Sequence, residues 1–148
     1  MSRVSKEIRN LARLLATSER GEKKHSKNKV PPAFHECEKL RPHFVVLLGV
    51  GGFRALLLRS LDLASAEVPW LRKVQVKADG SLEGSEEIQQ LDPDEFFEGR
   101  AILLAELLGL LVAFIGKNLT LRLLREVWPG IAISDSEFGK GDDYEKTT

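Results

Sequence analysis

The chain has 148 residues, 43% hydrophobic and 30% charged, with a formal net charge of zero. That composition fits one globular domain with a core of its own and excludes a highly charged disordered polymer. The single cysteine, Cys37, excludes an internal disulfide framework and is compatible with a reducing compartment. The charge is unevenly spread. Residues 1–30 hold nine Lys/Arg against three acids, residues 31–130 eleven against fourteen, and residues 131–148 two against five. No apolar signal segment opens the chain, so the expected location is cytoplasmic.

Residues 1–19 read as an amphipathic helix. Val4, Ile8, Leu11 and Leu15 recur on one face with Leu14 at its margin, while Arg3, Lys6, Arg9 and Arg13 surround them. Ser2 is the expected cap. Residues 20–32, RGEKKHSKNKVPP, are polar and basic with no apolar periodicity and are expected to form a linker. The run has no interleaved aromatics, which argues against nucleic acid as a partner.

Residues 33–131 are expected to form a helical core domain. Pro32 can open its first helix, where Phe34, Cys37, Leu40 and Leu47 share a helical spacing, and Pro42 is expected to kink or restart it. In the run that follows, Gly49, Gly51 and Gly52 mark a hinge, with Phe53, Leu56, Leu57, Leu61 and Ala64 facing the core. An alternative makes residues 44–48 a strand and the Gly49–Gly52 turn a phosphate loop, with Asp79 as a ribose-binding acid. Arg54 occupies the place of the third glycine in that motif, and further strand–helix units are missing.

Pro69 ends this region. Residues 73–84 change period: Val74, Val76 and Ala78 alternate with Gln75 and Lys77, and Asp79-Gly80 predicts a two-residue hairpin turn. Residues 85–91 form an acidic connector.

Residues 92–130 carry the longest apolar run and its own boundary signals. Asp92 is a cap, Pro93 suits the first helical position, and Glu95 completes a capping-box spacing. Trp128-Pro129-Gly130 stops the helix, with Arg122 and Arg125 suiting its negative end. Unbroken it would run roughly 50 Å, so a bend is expected at Gly99, Gly109 or Gly116. Ala105, Gly109 and Ala113 fall one turn apart and allow close helix approach. Residues 132–148 are expected to be an acidic disordered tail.

The expected fold is mainly α: a small bundle of three to four helices with one short β-hairpin. His35, Cys37 and His43 have a ligand-like spacing, but residues two apart on a helix face apart and no second cysteine exists, so no metal or cofactor is expected. Cys37 has no visible base or oxyanion loop and reads as a structural residue rather than a nucleophile. Glu106 interrupts an apolar run and needs a partner if buried, and Arg54 or Arg59 is expected to supply it. The functional expectation is a non-enzymatic helical module that binds a protein partner or itself, with Ala105, Gly109, Ala113, Val74 and Val76 as candidate interface residues. The alternatives are a membrane-associated protein using residues 2–19 and 101–124, and a nucleotide binder using Gly49 to Gly52.

Overall fold

A computed structural model describes residues 4–23, 34–84 and 86–133. It is mainly helical, in the order α1 (Lys6–Lys23), α2 (His35–Ser65), a 3-10 turn (Pro69–Lys73), β1 (Gln75–Val76), β2 (Leu82–Glu83), α3 (Glu86–Gln89), α4 (Pro93–Ile115) and α5 (Lys117–Val127).

Helix α1 starts later than its apolar pattern. The hydroxyl of Ser5, rather than Ser2, accepts from the Ile8 amide at 3.2 Å; Ser2 itself lies outside the described residues. The helix takes in residues 20–23 of the expected linker, and residues 24–32 lie outside the description. Ile8, Leu11 and Leu15 are buried as the stripe predicts, together with Ala12 and Ala16, while Leu14 is exposed. Each fully buried leucine contributes about 1.5–3 kcal/mol. Arg9 pairs with Glu67 at 2.5 Å and Arg13 pairs with Glu98, so α1 is fastened to the core at its polar margin too.

Helix α2 does not break at Pro42. That proline lies on an exposed face, where water can solvate the carbonyl it leaves without a donor. The break falls at Gly49, with φ 82° and ψ 159°, a conformation open essentially to glycine alone. Phe34, just before α2, packs on Phe96 with ring centroids 5.9 Å apart. Trp70, just after α2, stacks on the same ring at 5.7 Å. The chain therefore leaves and returns to one place, and α2 is a helical hairpin turned at Gly49.

The second long helix behaves alike. Asp92 caps it, accepting from the Asp94 amide at 3.1 Å. Of the three glycines expected to bend it, only Gly116 does, with φ 91° and ψ 159°. Helix α5 then runs back until Trp128 lies beneath the ammonium of Lys39, 5.7 Å from the ring centroid. Arg125 ties the end down, donating from Nε and Nη2 to the carbonyl of Ile133 at 2.9 and 2.8 Å.

The molecule thus consists of two helical hairpins side by side with α1 laid across α4. Their starts, Phe34 and Phe96, share a closed end. Their glycine turns lie away from it, about 22 Å of helix along α2 and about 30 Å along α4. The small β-hairpin clips onto α2. It turns through three residues rather than two: Lys77 N donates to Ser81 O, and Gly80 N, at φ 88°, donates to Lys77 O. The Asp79 carboxylate accepts from the Ser81 amide and hydroxyl, and these bonds hold its pKa below the usual carboxylate value. Gly80 sits against Phe53 and Arg41, one from each arm of α2.

Candidate functional site

Two places in the molecule depart from an ordinary apolar bundle. The first is the closed end. Glu36 opens α2 and Arg100 lies two turns into α4, and the Arg100 Nη1 donates to Glu36 Oε2 at 2.6 Å. The two side chains are 1% and 4% exposed. The guanidinium carbon lies 5.2 Å from the Phe96 ring and 5.8 Å from that of Phe97. Desolvated charges need a close opposite charge, and aromatic faces supply further attraction to the cation. Gly99 precedes Arg100 because Trp70 fills the space its side chain would need.

This pair replaces the one expected from the sequence. Arg54 turns to the β-hairpin, where its Nε donates to the Lys77 carbonyl at 3.1 Å. Arg59 pairs with Asp62 at 3.6 Å on the exposed surface. Neither is bonded to Glu106, which is buried against α1 with one carboxylate oxygen lacking a hydrogen-bond partner. Arg9 of α1 is a long-range electrostatic partner of that carboxylate. The expectation failed because helical spacing does not say which neighbouring helix a charge meets.

The remaining expected site residues separate. Ala105 is buried, and Gly109 lies beneath Val4 of α1, whose Cγ2 is 3.1 Å from where a Cβ would stand. Only Ala113 of that stripe is exposed. Val74 is buried and Val76 is packed on the core, so the hairpin face is occupied within the chain. The phosphate-loop alternative is corrected outright: residues 44–48 are helical, and Gly49 to Gly52 lie within the turn of α2. Cys37 is buried, and burial, then Glu36 and Glu38, push its thiol pKa well up, the opposite of an activated nucleophile. Among the described residues no three His, Cys, Asp or Glu side chains converge as metal ligands would.

The second place is the turn end. Val46 is 88% exposed and Phe114 68%, with Leu47 and Val50 also open. These positions correspond between the two hairpins. Val46 and Ala113 stand three residues before their glycines, and Leu47 and Phe114 two before. Buried positions match as well: Phe53 and Thr120 four residues after the glycine, Leu57 and Leu124 eight after, Leu61 and Trp128 twelve after. Leu47 shares the helical spacing of Phe34, Cys37 and Leu40 but is exposed, and Phe44 occupies the core in its place. The run is apolar all round, so its periodicity could not reveal the exposed face. One signal could have done so. The stretches around the glycines, residues 39–61 and 107–125, contain no acidic residue, although they carry seven Lys/Arg.

No family model, curated protein or solved structure matches the chain.

Proposed function

We propose that the chain is a non-enzymatic docking module that works through its turn end, in keeping with an interaction or self-assembly role. The observation that carries this reading is the exposure of Val46, Leu47 and Val50 beside the Gly49 turn and of Phe114 beside the Gly116 turn. Large apolar side chains grouped on a surface mark a place that another surface covers. Of the residues first expected to dock, Ala105, Gly109, Val74 and Val76 are packed within the molecule and Ala113 is exposed near the Gly116 turn. The run of α2 is long and apolar enough, by length and composition, to cross a membrane, but the turn at Gly49 divides it into two shorter arms.

The test is detergent-free full-length protein, sized by light scattering and retained on a phenyl resin, beside the variant V46S/F114S. Self-association or strong retention that the variant loses supports docking. A wild-type monomer retained no longer than the variant overturns it.

A further inference from the structure

Resting on that reading of the turn end, we propose that its partner is a lipid surface bearing anionic headgroups, which the molecule meets tip first without crossing it.

The argument begins with size. Four side chains, two of them less than half exposed, can offer only on the order of a few hundred Å², below the ~800 Å² per partner of a stable protein interface. A permanent dimer through this end alone is therefore poorly supported. A lipid interface has no such minimum, because apolar side chains need only reach the acyl boundary while the remainder stays wet.

Charge then selects the surface. The nearest titratable groups to the tip on its own helices are His43, Arg54, Lys117 and Arg122. Residues 39–61 and 107–125 add Lys39, Arg41, Arg59 and Arg125, and no carboxylate. From the packed elements, Asp79 faces Arg41 at the hairpin turn, and Lys6 and Glu7 lie in the first turn of α1. Just beyond those stretches the acids resume at Glu38, Asp62, Glu106 and Glu126, and Glu36, Glu67, Asp92, Asp94, Glu95 and Glu98 lie further from the tip. The groups that flank the apolar tip on its own helices are thus cationic, while further back Arg41 and Arg59 are paired with Glu38 and Asp62. Tip-first contact puts Phe114, Val46, Leu47 and Val50 below the headgroups. It puts Lys117, Arg54 and Arg122 level with them, where each cation gains from anionic lipid and Glu98 or Asp94 is kept well beyond a Debye length.

Co-sedimentation of the full chain with vesicles of pure phosphatidylcholine, and of phosphatidylcholine with one quarter phosphatidylserine, tests the proposal. The wild type is expected to bind the anionic vesicles at least tenfold more tightly. K117Q/R122Q is expected to weaken that binding about fivefold for each charge removed. V46S/F114S is expected to lose it with the fold intact, since both side chains are already exposed. Equal binding to both vesicles overturns the anionic preference and leaves docking standing. No vesicle binding, with oligomers that V46S/F114S dissolves, overturns the lipid partner and leaves docking to protein. Absence of every association removes both readings.

Discussion

Glu36 and Arg100 form a 2.6 Å ion pair almost wholly removed from water, joining the first turn of α2 to the second of α4. Its two halves are unequal in consequence to remove. Arg100→Met leaves a buried carboxylate without its counter-charge and should cost about 3–5 kcal/mol. Replacing both, as E36M/R100M, should recover most of that loss or exceed the wild type, because apolar packing then takes the place of two desolvated charges. Urea unfolding of the wild type, the single variant and the double variant decides it. A double variant as weak as the single one would show that the pair is irreplaceable.

Gly99 is required by Trp70 rather than by its own backbone. An added methyl would overlap the indole, so Gly99→Ala should displace the ring and destabilise by about 1–3 kcal/mol. The displaced indole becomes more hydrated, so tryptophan emission should shift to the red. G99A/W70L should lose less stability than the two single changes summed, since they relieve one clash.

At Gly49 and Gly116 the opposite holds. Nothing lies within 4 Å of a Cβ at either position, but φ is +82° and +91°. Alanine at either turn should cost about 1–3 kcal/mol in backbone strain alone. Gly51 is the control: it too has open space, in ordinary helical conformation, and Gly51→Ala should stabilise by about 0.4–1 kcal/mol. Thermal melts of the three variants separate strain from helix propensity. Equal effects at all three would refute the assignment of strain to the turns.

Cys37 sets an alkaline limit. Its ordinary thiol value of 9.0 applies to the unfolded chain, while burial raises the folded value. A raised folded pKa gives stability that is complete below the unfolded value and lost as pH rises above it. From about pH 9 upward stability should fall by up to ~1.4 kcal/mol per pH unit, as the unfolded thiol releases a proton the folded one keeps. Cys37→Ala should flatten the profile in that range, as measured by denaturant midpoints at pH 8, 9 and 10.

The helices were legible where apolar spacing and end signals agreed. The stripe of α1, the Asp92 cap and the core positions from Phe53 to Ala64 follow directly from residue order. Tertiary relations were not legible. Residue order offered Arg54 and Arg59 for Glu106, and three-dimensional packing joined Arg100 to Glu36 instead. Pro42 was expected to kink α2 and does not, because an exposed proline is tolerated, whereas the expected glycine hinge does turn the helix, at Gly49. The turn end stayed hidden because an all-apolar run does not declare which side meets water. Its surroundings were readable as two acid-free stretches, and a charge map by segment would have shown them.

The two hairpins also order events in time. Each closes over neighbouring residues, whereas Glu36 and Arg100 meet across 64 positions of chain. Local contacts form at small entropic cost and distant ones late, so the hairpins should assemble before the closed end zips. Interactions made after the rate-limiting barrier act on escape from the native state. Substitutions at Arg100 should therefore quicken unfolding while leaving refolding nearly unchanged, and the two arms of a chevron plot would read this directly. The residence time of the native state would then be governed from the end of the molecule opposite its exposed tip.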